Sequence, residues 1–184
     1  METFFECLKS GFSHIIPDGP DHVLFVLGLF LMCREVGSLL WQITLFTLAH
    51  SLTLALALCG IVSLPDKPVE ILIALSIAFI ALENVLVRDL SRWRPWVIVG
   101  FGLMHGFGFA GAFVESGIPL GEPVIAIVGL NLGVELGQLA VVLLAAAVFG
   151  RFWTRSWYRR AVTVPGSLAI GGLGLSWALM RLAS

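Results

Sequence analysis

Six stretches of this chain are long, strongly apolar and sparsely charged: residues 20–33, 37–62, 69–87, 96–114, 123–150 and 165–182. Each approaches the roughly 20 apolar residues needed to cross the hydrocarbon core of a bilayer. Inside that core every backbone N–H and C=O must be satisfied within the segment, which leaves the α-helix as the way for such a run to cross. Only 12% of the 184 residues are charged and 58% are hydrophobic, against about 25% charged in an ordinary soluble domain. A soluble globule, a disordered chain and a collagen-like repeat are thereby excluded. With 11 Lys+Arg against 12 Asp+Glu, there is no basic surplus for nucleic acid, so none is expected as a partner. The three cysteines, Cys7, Cys33 and Cys59, have no C-x-x-C spacing and suggest neither a disulfide frame nor a zinc knuckle. The chain reads as one all-α integral-membrane domain, 1–184. A bundle of about six transmembrane helices over 20–182 follows an N-terminal segment over 1–19, and that segment's helix would make seven.

The first stretch is short and is expected to extend upstream through Ile15 and Ile16. Phe4, Phe5, Leu8 and Phe12 recur at helical spacing, so residues 1–16 read as an amphipathic helix lying at the interface or closing over the bundle. No secretory leader is expected, since two acids precede the first base and no cleavage pattern follows. Orientation follows from counting bases in alternate loops. One side holds Arg34, Arg88, Arg92, Arg94, Arg151, Arg155, Arg159 and Arg160, and the other holds Lys9, Lys67 and Arg181. The arginine side is expected to be cytoplasmic, with both termini outside. Trp41, Trp93, Trp96, Trp153 and Trp157 fall at that same end. Most acids fall at the opposite end, where an acidic mouth would concentrate cations.

Ionisable side chains inside a bilayer are costly and mark paths or sites. This chain places His50 in the second stretch, Ser76 and Glu83 in the third, His105 in the fourth, and Asn131, Glu135 and Gln138 on one stripe of the fifth. Asn131 and Gln138 read equally as helix glue or as part of a path. Thr47, Ser51, Thr53 and Ser76 are expected to bond back to their own helices. Gly129, Gly133 and Gly137 form a small-xxx-small seam on a different face, and the glycines around His105 allow close backbone approach.

The segment His14-Ile-Ile-Pro17-Asp18-Gly19-Pro20-Asp21-His22 is the most informative. Asp18 or Asp21 as an N-cap with Pro20 in the first turn explains one carboxylate but neither imidazole. Imidazole with carboxylate is ligand chemistry for Zn, Ni, Cu or Fe ions, and geometry chooses among them.

The same segment with its following L-F-V-L-G-L-F-L, then F-T-L-A-H-S-L-T-L, F-G-L-M-H-G-F-G-F-A and N-L-G-V-E-L-G-Q, resembles the HupE/UreJ family over roughly residues 11–140. Members are described as nickel or cobalt permeases linked to hydrogenase and urease maturation. Where the family's first motif usually has five residues between His and Asp-His, six intervene here. The resemblance implies His14, Asp21, His22, His50, His105 and Glu135 as metal-handling groups; Asp18, Ser51, Glu83, Asn131 and Gln138 are supporting polar groups on the residue reading alone. The expected metal is a nickel or cobalt ion by that resemblance, or zinc by the ligand chemistry; the expected partner is the lipid bilayer, the expected place the bacterial inner membrane, and a homo-oligomer is open.

Two functions remain open at this point. One is permeation of a divalent transition metal, with ligands spread from Asp21 at the mouth to His50, His105 and Glu135 within. The other is a membrane-embedded zinc hydrolase acting on a lipid or peptide. There the ligands cluster at one depth around an open metal position, and Ser51 or Glu135 assists. A metal-binding structural or sensor subunit is a third. The depth of His22 discriminates: a loop that dips inward would bring His14, Asp18 and His22 to His50 and His105, and that clustering would favour the hydrolase.

Overall fold

The computed structural model describes residues 2–115 and 123–183, and among them the structure is helical with no strand. Seven α-helices run in chain order: α1 Glu2–Ile15, α2 Pro20–Met32, α3 Val36–Leu58, α4 Asp66–Leu86, α5 Arg94–Glu115, α6 Pro123–Phe149 and α7 Val164–Ala183. The expected outer loop between α5 and α6 lies outside the described residues. Among the described residues, four helical segments are long and apolar enough to cross a membrane alone: Val36–Leu58, Asp66–Leu86, Val124–Phe152 and Arg159–Ala183. The multi-pass helical architecture is therefore as the sequence predicts.

The N-terminal part departs from expectation. Residues 20–33 do not extend upstream as one helix, because α1 ends at Ile15 and α2 restarts at Pro20. Thr3–Ile15 and Pro20–Met32 together have the length and apolarity of one crossing, bent by 68° at the break. The physical reason lies in Pro17 and Pro20: each lacks a backbone N–H and cannot continue a regular helix, whereas Pro20 suits the first position of a new one. Of the two placements expected for α1, the one observed is packing against the bundle. The helix packs along α6, where a Cβ on Gly129 would meet the Phe4 carbonyl and Cys7, one on Gly133 the Leu8 carbonyl, and one on Gly137 the Ile15 side chain. The small-residue seam is thus the groove that receives α1. Its contacts advance in the same direction on both helices, so α1 ends against Gly137, about half way along α6.

Three close pairs, α1 with α6, α3 with α5 and α4 with α7, surround the short α2. Phe25, Val26, Leu29 and Phe30 of α2 are buried on all sides. Asn84 of α4 donates to the Gly28 carbonyl at 2.7 Å and to Ser167 of α7 at 3.2 Å, tying three helices at one buried point. Large apolar side chains such as Leu48, Leu52, Phe79, Leu82, Leu143, Leu144, Leu175 and Leu179 are exposed on the outside of the bundle. That is the surface expected of a protein solvated by lipid, and it would be an aggregation liability in water.

Candidate metal centre

The break between α1 and α2 carries His14 to one side and His22 to the other, and both rings point into the bundle beside His50 of α3 and His105 of α5. Ring centroids lie 4.6 Å apart for His14–His22, 5.7 Å for His22–His50, 4.8 Å for His22–His105 and 6.2 Å for His14–His50. All four histidines of the chain therefore share one cluster. His50 and His105 are 0% exposed and His22 is 2% exposed.

Local sequence explains each placement. α5 lies against α3 because Gly102 and Gly106 have no side chains: a Cβ on Gly102 would press on the Phe46 carbonyl, and one on Gly106 on Thr53 and the His50 carbonyl. That contact sets His105 beside His50. Gly19, at the turn, is needed because a Cβ there would strike the His14 carbonyl and approach the His22 ring. Gly19 also occupies the N-cap of α2 without a side-chain cap, so neither Asp18 nor Asp21 caps the helix.

Asp21 instead accepts from the His22 backbone N–H at 2.9 Å and lies 3.1 Å from His22 Nδ1. His105 Nδ1 lies 2.8 Å from the Phe101 carbonyl. A carbonyl only accepts, so Nδ1 carries the proton and Nε2 keeps its lone pair. A ring nitrogen bonded to carboxylate or carbonyl, with the other nitrogen free, is the usual posture of a metal-ligating histidine. The free nitrogens are indeed unpartnered and buried: Nε2 of His14, His22 and His105, and both nitrogens of His50. Buried polar atoms normally find a partner, so five in one cluster call for an explanation. The ring spacings fit one: imidazoles bound tetrahedrally to a metal, with N–metal distances of about 2.0–2.1 Å, place their centroids about 5 Å apart. Among the described residues, no three His, Cys, Asp or Glu side chains are already posed as a complete ligand set. Phe109 stacks on His14 at 3.6 Å, and Phe46 and Phe25 lie 4.9 and 5.4 Å from His105, so the rings sit among aromatic side chains.

The other predicted groups are placed elsewhere. Glu135 accepts from Thr44 at 3.2 Å, and Gln138 accepts from Thr47 at 2.9 Å. These two pairs descend α3 from His50, at residues 47 and 44, along its contact with α6. Asn131 donates to its own helix at the Ile127 carbonyl, and Ser51 donates to the Thr47 carbonyl at 2.6 Å. Glu83 is 2.6 Å from Arg94, a residue counted above as a loop base but only 2% exposed. That ion pair belongs to the helix ends near Cys33 and Gln42, and the histidines are not part of it. Asp18 is exposed and, with Asp21, Pro20, Trp177, Met180 and Arg181, lines a cavity of about 290 Å³.

The expectation that ligands are spread over several depths is therefore replaced by a cluster of four histidines plus a separate polar seam. Sequence reasoning missed Thr44 as the partner of Glu135, and Arg94 as the partner of Glu83. The i, i+3, i+6 spacing of Thr44, Thr47 and His50 was the available signal for the first. A family model described as HupE / UreJ protein matches residues 1–181, essentially the whole chain. No curated protein and no solved structure matches the chain.

Proposed function

We propose that this chain, which belongs to the HupE/UreJ family, binds a divalent transition metal of the nickel or cobalt kind at the four-histidine cluster and passes it across the membrane. The observation that carries this reading is the set of five buried, unpartnered ring nitrogens of His14, His22, His50 and His105. Neutral imidazoles are donors for Ni, Co or Zn ions and poor ones for Mg or Ca, which take oxygen. The metal is cargo in this account. Asp18 and Asp21 at the cavity draw the hydrated cation inward. Asp21 then holds His22 with Nε2 free, and the phenylalanines around the rings exclude water as imidazole replaces it. From His50 the Thr47–Gln138 and Thr44–Glu135 pairs offer oxygen donors toward the arginine-rich end. A midplane site formed where a helix is broken is a common plan for transporters.

The clustering also meets the condition set above for a hydrolase, so that reading is kept as the second. Its two proposed assisting groups, Ser51 and Glu135, are bonded to the Thr47 carbonyl and to Thr44, which weighs for transport. The test is uptake of nickel and cobalt by proteoliposomes, with bound metal measured on the purified protein. Uptake above empty liposomes that falls in His50→Ala and His105→Ala supports permeation. Tight binding without any flux overturns it in favour of the hydrolase, and absence of bound metal overturns both.

A further inference from the structure

At the end of the bundle away from the histidines, three connections bring guanidinium groups into one cavity of about 620 Å³. Arg34 comes from the α2–α3 turn, Arg88 from the α4–α5 turn, and Arg155, Arg159 and Arg160 from the α6–α7 connection. Thr154, Ser156 and Trp157 complete the lining, and Asp89 is its one carboxylate. Arg159 is fixed, since it donates to the Asn84 and Val85 carbonyls at 2.9 Å each and so closes the last turn of α4. Arg34, Arg88, Arg155 and Arg160 have no side-chain hydrogen bond or ion pair among the described residues. Glu35 lines only the adjoining recess.

Loop arginines that merely set orientation would spread through solvent to lower their mutual repulsion. Here five converge on one concavity, and a single carboxylate leaves a surplus of four positive charges. Guanidinium forks suit phosphate oxygens bidentately, and hydroxyls add neutral donors. The cavity also lies among the tryptophans of this end: Trp157 lines it, and Trp41, Trp93 and Trp96 are 59–71% exposed at the neighbouring helix starts. Such rings settle at the headgroup level of a bilayer. We propose that this cavity binds an anionic phosphate group, supplied either by the headgroup of an acidic phospholipid or by a free phosphate compound. Basic pockets between helix ends at headgroup depth are suited to that ligand.

The test is native mass spectrometry of the detergent-purified full chain with phosphatidylglycerol, with phosphatidylcholine as the zwitterionic control, and with inorganic phosphate. The proposal expects phosphatidylglycerol to be retained about tenfold over phosphatidylcholine. It expects about a fivefold loss for each of Arg34→Gln, Arg155→Gln and Arg160→Gln. Arg151→Gln removes the same charge from the same connection but outside the lining, where Arg151 stacks on Phe152, and should change nothing. Retention of phosphatidylglycerol identifies the lipid source, and binding of inorganic phosphate with the same arginine dependence identifies the soluble one. Equal retention of both lipids with no phosphate binding overturns the proposal. So does an Arg151→Gln effect as large as that of Arg155→Gln, which would reduce the cavity to general surface charge.

Discussion

His105 donates its Nδ1–H to the carbonyl of Phe101, one turn earlier in α5, which leaves the Nε2 lone pair free on a ring packed against those of His22 and Phe46. His22 is held in the corresponding way by Asp21. On the proposed reading both are oriented before an ion arrives, by groups that do not themselves need to touch it.

Two tiers of mutational effect follow for metal binding. His105→Ala removes a donor and should lower affinity more than a hundredfold. Asp21→Asn leaves every imidazole in place and should cost roughly 10–100-fold, the range for losing an orienting partner. Protons compete for the same lone pairs, so affinity should fall as pH is lowered. Isothermal titration with nickel over a pH series checks both. Equal effects of the two substitutions would place Asp21 on the metal.

The Glu83–Arg94 pair gives a prediction about folding. Arg94 also donates to Gln42 at 2.8 Å, and Gln42 in turn contacts Cys33, so the pair ties α4, α5 and α3. Removing one partner strands a charge in a poorly solvated place and should cost about 3–5 kcal/mol. Replacing both, as Glu83→Leu with Arg94→Met, should recover most of that loss. Unfolding of the four proteins of this cycle in detergent measures it, and additive single effects would refute the coupling.

Much of the site was legible from residue types alone, because a histidine in an apolar run has few cheap explanations. His50 and His105 were singled out that way, and His14 and His22 by the carboxylates beside them at the Pro-Gly turn. Their convergence was not legible, since it depends on where α1 ends relative to α6. The Gly129–Gly133–Gly137 seam was visible, but periodicity says which face is small and does not say which helix fills it. Arg94 was misjudged because its neighbours, Arg92, Trp93 and Pro95, read as a loop. Its tertiary partners, Glu83 eleven residues away and Gln42 of α3, explain its burial. Hydropathy likewise could not tell a 13-residue α2 from the start of a longer helix.

Because α1 carries His14 but reaches the bundle through α6, its docking can be separated from the rest of the cluster. Gly133→Leu would drive a side chain into the backbone of Leu8 and Phe12 and should lift α1 from its groove. Helical content should change little, while metal affinity should drop toward that of His14→Ala. If Gly133→Leu binds metal like the native chain, the close approach of α1 is not required for the site.

Orientation can be read from a native reporter. Cys59 is exposed at the end of α3 opposite the arginine cluster, while Cys7 and Cys33 are buried. An impermeant maleimide added to intact cells should label Cys59 directly. A Ser156→Cys variant in a Cys59→Ser background should react only after permeabilisation. The opposite pattern would invert the topology and move the acidic cavity to the cytoplasm.

The final prediction concerns Glu135, whose role the cluster geometry changes. Its carboxylate bonds Thr44, two steps down α3 from His50, with the Thr47–Gln138 pair between. Had it been a ligand of the central site, Glu135→Gln would weaken binding directly. Placed beyond the histidines, it should leave equilibrium nickel binding within about twofold. Its effect should fall on passage, because a permeating dication leaving the imidazoles next meets neutral amide and hydroxyl oxygens and then this one carboxylate. Replacing that charge by an amide raises the electrostatic barrier on the way out. Uptake into proteoliposomes should then drop by tenfold or more while the bound metal per chain stays constant. Thr44→Val, which removes only the hydroxyl that holds Glu135 in place, should produce a smaller loss of the same kind. Parallel losses of binding and flux in Glu135→Gln would put the carboxylate back among the ligands, and unchanged flux would remove the α3–α6 seam from the path.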